Sequence, residues 1–257
     1  WARVESATSS CYNIAPMALE VRDSPMATEP PPLRRCDDAV ADGFAFFDLT
    51  LSAPDVLGSL DPLEFDLYWY VDQADAVAAG DVALTAPDFS LAIADPTNFL
   101  NTSNPQTVWV LVVGNASSTM PNNGSTGCYD VVPLQLIVDP NPEDLGPFLM
   151  QLCDDQESGS TTDQVSIFDL TTQDPLATGG APGLTVTWFA SPADEASDIP
   201  IADPTAYPNA SNNQTVIGRV ESPFGCRTLV TLTLTVVAVP TPETEPAPIE
   251  LCDDDDD

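Results

Sequence analysis

The residues best suited to chemistry are six cysteines and the acids beside them. Cys36, Cys153 and Cys252 are each followed by Asp-Asp, whereas Cys11, Cys128 and Cys226 each precede a run of alternating apolar residues. An even set of cysteines in recurring settings reads as a disulfide framework, and hence as an oxidising, extracytoplasmic compartment. Zinc would call for Cys-x-x-Cys pairs or histidines, and the chain has neither. The segment Cys36-Asp37-Asp38-Ala39-Val40-Ala41-Asp42-Gly43, followed by Asp48, is a thinned form of the Asp-x-Asp-x-Asp-Gly loops that hold calcium. Asp154-Asp155 repeat its opening, but Gln156-Glu157-Ser158-Gly159 replaces the rest. Asp37, Asp38, Asp42, Asp48, Asp154 and Asp155 are therefore candidate calcium ligands. Beside that stands a plainer reading, a solvated turn, with Asp48 and Asp169 in Phe-Asp-Leu-Thr bonding backbone at a strand end.

Catalysis finds little support. There is no histidine, no lysine, no Gly-x-Ser-x-Gly and no phosphate-cradling loop. Paired carboxylates of the glycosidase kind are present by inventory, yet these acids recur with the sequence repeat or scatter over loops. The chain reads as not an enzyme. Five Asn-x-Ser/Thr sequons occur, at Asn101, Asn115, Asn123, Asn209 and Asn213. Asn101 and Asn209 stand in register, near Gln106 and Gln214, and read first as side chains satisfying backbone in a long turn.

Charge narrows the partners. Forty acids face six arginines, for a net charge of −34. Without a basic surface to neutralise phosphates, nucleic acid is excluded. The acid excess reads foremost as a solvated, self-repelling surface. Apolar residues fall in short runs, so no membrane span is expected.

The elements that position these groups repeat. Asp95-Pro96-Thr97-Asn98-Phe99-Leu100-Asn101 returns as Asp203-Pro204-Thr205-Ala206-Tyr207-Pro208-Asn209, and Gln106-Thr107-Val108 as Gln214-Thr215-Val216. Trp1 to Ser6 aligns with Ile217 to Ser222. A fixed period of this size means a tandem array. The division expected is the last strands of a preceding unit plus a linker over 1–35, complete units over 36–152 and 153–251, and the start of another at 252–257. Within a unit, alternation marks half-buried strands: Leu63–Tyr70 and Leu184–Phe189, Thr107–Val113 and Thr215–Val220, Val132–Val138 and Leu229–Val237. Helical character is limited to Asp72–Ala79 and Asp194–Ser197. Trp69 and Trp188, at matching places on a middle strand, are expected in the core. Together these predict an all-β chain of tandem immunoglobulin-like β-sandwich domains joined by Pro-rich linkers, the prolines giving semi-rigid spacers.

Cysteine pairing follows from strand length. A final strand of about ten residues spans ~33 Å, which argues against bonding across a linker, because disulfide Cα atoms lie within ~7 Å. If the first and last strands run side by side in one direction, both cysteines of a unit fall at the same end. The expected bonds are Cys36–Cys128 and Cys153–Cys226, with Cys11 and Cys252 pairing to neighbouring repeats.

The pattern Cys-Asp-Asp…Asp-Gly…Phe-Asp-Leu-Thr, then Asp-Pro-Thr-x-(Phe/Tyr)-x-Asn…Gln-Thr-Val, then Gly-Cys before an alternating strand, resembles a known family. It is that of the Cys-containing immunoglobulin-like repeats of very large Bacteroidetes cell-surface proteins, exported by the type IX pathway and associated with gliding motility and adhesion. The resemblance covers nearly the whole chain. It implies an extracellular or cell-surface location, a stalk, adhesin or filament, and no reaction. The partners expected are neighbouring repeats of the same chain and identical chains in a fibre. The alternative role is a ligand-binding adhesin whose loops near Asn101 and Asn209 contact glycan or a partner protein.

Overall fold

A computed structural model describes residues 1–9, 11–16, 24–83, 86–115, 128–156 and 158–240. Cys252, Asn123 and the terminal acids lie outside the described residues. The chain divides into two units, Trp1–Pro140 and Asn141–Asp257. Among the described residues, no helix is long and apolar enough to cross a membrane.

Each unit is built on one four-stranded sheet. In the first unit the strands are β3 (Leu33–Cys36), β5 (Phe65–Tyr70), β7 (Gln106–Gly114) and β8 (Tyr129–Asp139), in the order β3-β8-β7-β5. A two-residue ladder, β4 (Phe46–Phe47) with β6 (Phe99–Leu100), forms the second layer. The second unit repeats this with β9 (Phe148–Cys153), β14 (Arg227–Val237), β13 (Gln214–Glu221) and β11 (Thr185–Phe189). Its facing ladder pairs β10 (Ile167–Phe168) with β12 (Tyr207–Pro208). Every pairing within the four-stranded sheets is antiparallel except that of first strand with last. Upstream, β1 (Ala2–Glu5) and β2 (Tyr12–Ala15) form an exposed hairpin. This is an all-β, tandem immunoglobulin-like sandwich architecture.

The cores follow from period-two alternation. Val108, Val110 and Val112 of β7 and Leu134, Leu136 and Val138 of β8 point inward with Phe47, Leu49 and Trp69. In the second unit Val216, Leu232, Leu234 and Val236 surround Phe168, Leu170 and Trp188. Both tryptophans are buried, Trp69 at 7% and Trp188 at 2% exposure. A Cβ on Gly218 would come within 2.8 Å of the Trp188 ring and 2.9 Å of Val230, so glycine there admits the indole. The Trp188 Nε1–H donates to Asp174 Oδ1 at 2.8 Å.

The first strands are absent from the sequence reading. Residues 33–35 fall in the stretch read as linker and residues 148–152 at the tail of the unit 36–152, with no strand expected in either, yet they pair with β8 and β14. Cys36 and Cys153 therefore end a strand, where the sequence reading began a unit. The prolines before them also belong to the unit that follows. Pro25, Pro30 and Pro142 are buried, the Ala27 N–H donates to Asp130, and Thr228 Oγ1 donates to the Pro142 carbonyl. Free spacer is shorter than proline content suggests.

Helices are short. Besides α2 (Gln73–Val82) and α4 (Pro192–Ala196), near the two segments with helical character, there are α1 (Ala53–Leu57) and α3 (Asp174–Ala177). The latter two continue 3-10 turns that Asp48 and Asp169 cap. In the first unit α2 lies on the outer sheet face, where Ala76 and Ala79 pack with Tyr70 and Leu111. In the second, Arg219 covers Phe189, 4.7 Å from its ring, and bonds Asp198 at 2.7 Å and Glu195 at 3.4 Å.

Candidate functional site

The cysteines sit at opposite ends of each unit. We call proximal the end at which the last strand begins, and distal the end at which it finishes. In the parallel ladder Cys36 lies level with Asp139, the final residue of β8, and Cys153 level with Val237, the final residue of β14. These are distal. Cys128 immediately precedes β8 and Cys226 immediately precedes β14, which makes them proximal. About eleven strand residues separate the two cysteines of a unit, or ~36 Å along the strand.

That distance rules out the expected Cys36–Cys128 and Cys153–Cys226 bonds within a unit. The expectation that first and last strands run parallel holds, but the register differs. The first strand ladders with the second half of the last strand, so its cysteine is carried to the far end. Cys36 and Cys226 are each disulfide-bonded, while Cys153 is an exposed thiol.

The distal end is held by the same network in both units. After Cys36, the Asp37 N–H continues the ladder to the Asp139 carbonyl at 2.9 Å. Asp37 Oδ2 accepts the Gly43 N–H at 2.9 Å, closing the loop, and Gly43 adopts φ +78°. Asn101, 1% exposed, accepts the Ala45 N–H and donates to the Gly43 and Ser103 carbonyls. Asn104 brackets the end of β8, donating to the Val138 carbonyl and accepting the Val138 N–H. In the second unit Asp154 accepts the Gln164 N–H, and Asn209, 3% exposed, serves Ser166, Gln164 and Ser211. Asn212 brackets Val236. Arg34 adds an ion pair with Asp139, 2.7 Å long, that ties the first strand to the last in the first unit.

In the second unit the proximal end is a tight hairpin. Glu221 pairs with Arg227, the Ser222 N–H donates to the Cys226 carbonyl at 2.8 Å, and Gly225 turns at φ +83°. Cys226 is 1% exposed.

The candidate calcium ligands divide. Oxygens of Asp37, Asp38 and Asp42 gather within 4.8 Å of one another, and the three accept N–H groups of their own loop, from Gly43, Val40 and Phe44. Asp48 does not join them, because it caps the turn Leu49–Ser52 through the Thr50 N–H. Asp154 is 1% exposed, with one oxygen that meets no partner among the described residues. Neither it nor Asp155 enters such a group among the described residues. Among the described residues the second unit shows no such gathering, and Gln164, at φ +59°, closes its loop ten residues after Asp154 rather than six. Asn101 and Asn209 are spent on backbone, as the turn reading expects. Sequence reasoning passed over Asn104 and Asn212, and their signal was present: both lie three residues after the repeated Asn101 and Asn209.

Comparison with known proteins agrees with this division. Residues 32–142 and 149–242 each match the Flavobacterium inter-domain disulphide bond domain. No curated protein matches the chain. Among solved structures, an I-band fragment from titin aligns at 10% identity with a TM-score of 0.27, covering 67% of this chain and 55% of that one. This chain thus spans about half the length of that fragment. With two matched copies taking up most of its residues, the chain belongs to the Flavobacterium inter-domain disulphide bond domain family.

Proposed function

We propose that this chain is a structural stretch of a long extracellular surface protein, whose sandwich units are joined into a stalk or filament by disulfides between neighbours. One observation carries the reading: each unit has one cysteine at its distal end and one at its proximal end, too far apart to bond each other. The chain leaves a unit at its distal end, so the distal cysteine of one unit suits the proximal cysteine of the next. Cys36 then pairs with Cys226, which are the disulfide-bonded cysteines among the described residues. By the repeat, Cys128 and Cys11 pair with distal cysteines of preceding units, and Cys153 and Cys252 with proximal cysteines of following ones. The family's own description speaks of an inter-domain disulphide bond.

Other features support the same role. Disulfides of this kind persist in oxidising compartments, which supports a cell-surface or extracellular site. Export by the type IX pathway and a place in gliding or adhesion belong to the same proposal, through the resemblance to Bacteroidetes surface repeats. Asp48 and Asp169 cap turns, and Asp37 and Asp154 close loops, so these acids serve the scaffold in both units. The loops offered for an adhesin's ligand spend Asn101 and Asn209 internally, which favours the structural role.

The test is NMR relaxation of the chain, oxidised and reduced. The expected result is one rotational correlation time for both units when oxidised and shorter, separate times on reduction or in Cys36→Ser. Independent tumbling of the oxidised units overturns the proposal.

A further inference from the structure

We propose that tension along the array travels through the first and last strands and the disulfides alone, so the remainder of each sandwich hangs outside the path of force. This deepens the reading that distal and proximal cysteines of neighbours are bonded, and it rests on that reading.

The covalent route can be followed residue by residue. In the second unit one route arrives from β8 across Pro140, runs up β9 and leaves at Cys153 through its disulfide. The other arrives through Cys226, runs up β14 and leaves beyond Val237. Both cross the unit from proximal to distal end. The strands they use are the parallel pair, laddered over six residues from Leu232↔Phe148 to Val237↔Cys153. The first unit gives the same pairing, from Leu33↔Leu136 to Cys36↔Asp139. Parallel pairing of first and last strands is what two routes with one direction require.

Little slack remains on such a route. Between Cys128 and Cys153, eleven residues are already extended in β8 and six in β9. A strand rises ~3.3 Å per residue, against at most ~3.6 Å for a fully stretched chain. The connection 140–147 holds Pro140, Pro142 and Pro147 with fixed φ, and Pro142 is buried against its unit. The spacing Cys11 to Cys36 and Cys226 to Cys252 repeats that of Cys128 to Cys153 to within a residue. Residues 37–127 and 154–225 are bypassed. A sandwich can then lose its core without lengthening the array, whereas units linked only end to end yield ~30 nm for each ~100 residues unfolded. Reduction converts the first behaviour into the second.

The test pulls the full 257-residue chain by its two ends in an optical trap, with and without reductant, as wild type and as Trp188→Ala. If Trp188→Ala does not fold, the milder Val216→Ala replaces it. With Cys36 bonded to Cys226, about 190 residues are bypassed, worth ~65 nm of contour. The expected result is that oxidised wild type and variant give superimposable traces without that gain. Reductant then releases ~65 nm, at lower force in the variant. A gain of ~65 nm in the oxidised wild type means the bond is absent and sinks the reading beneath the proposal. Absence of that gain with oxidised traces that differ between wild type and variant leaves the bond intact and overturns the force route itself.

Discussion

Cys36 and Cys128 stand at opposite ends of β8: Cys36 is level with its last residue, Asp139, and Cys128 precedes its first. The same holds for Cys153 and Cys226 about β14. A disulfide cannot span a strand, so each sandwich carries one cysteine at each end.

The buried asparagines are predicted to be the costliest polar residues to truncate. Asn209→Ala strands the Ser166 N–H and the Gln164 and Ser211 carbonyls at a nearly closed site. Loss of a buried partner costs ~1–3 kcal/mol per unsatisfied group, so a loss of ~2–4 kcal/mol is expected by urea denaturation. Asn101 and Asn209 are also expected to remain without glycan in intact-mass measurements after expression in a glycosylating host, because neither nitrogen is accessible once folded.

Gly218→Ala is predicted to destabilise the second unit by ~1–3 kcal/mol, the usual range for overpacking a filled core. The added carbon meets the Trp188 ring at 2.8 Å and Val230 at 2.9 Å. Thermal melting followed by Trp fluorescence checks this, and an unchanged melting temperature refutes it.

Tyr70 is fully buried, and its hydroxyl has no partner among the described residues. Burial, with smaller contributions from Tyr68, Asp88 and Asp75, pushes its ionisation up to about 12. Ultraviolet titration should show one tyrosine ionising near that value, and Tyr70→Phe should remove that step. The same variant should be neutral or stabilising in urea, since an unpartnered buried hydroxyl contributes only its desolvation cost.

Asp174 carries a pH signature. Burial raises its carboxyl above the ordinary 3.8, opposed by the Trp188 hydrogen bond and aided by Asp169. Between the unfolded and the raised native value the folded state binds more protons, so this group's contribution to stability falls as pH rises through that window. Asp174→Asn retains an acceptor for the indole and has no charge to bury. Its stability relative to wild type should increase as pH rises through the window and level off above it. Denaturation curves at a series of acidic to neutral pH values decide the point, and a flat difference contradicts it.

Much of the fold was legible because half-buried strands alternate. Val108-Val110-Val112 and Leu232-Leu234-Val236 mark their sheets directly in the sequence. The first strands were not legible, for a physical reason. Leu33–Cys36 and Phe148–Cys153 are edge strands of four and six residues following prolines, with most side chains exposed or half-exposed. Leu33–Cys36 carries no burial period to read, and in Phe148–Cys153 the half-buried Phe148, Met150 and Leu152 alternate with an exposed face that itself holds the apolar Leu149, which blurs the period in sequence. Missing them moved the cysteines from the end of a strand to the start of a unit, and the pairing error followed. The acidic loops posed a different difficulty. Asp37 closes its turn by accepting a backbone N–H and Asp48 caps one, and carboxylates in those roles look the same in sequence as ligands awaiting a cation.

The central claim is tested most directly by non-reducing proteolysis of the alkylated, oxidised chain with mass spectrometry of the linked peptides. The prediction is one peptide pair joined through Cys36 and Cys226, lost on reduction. Peptides joining Cys36 to Cys128, or Cys153 to Cys226, would contradict it.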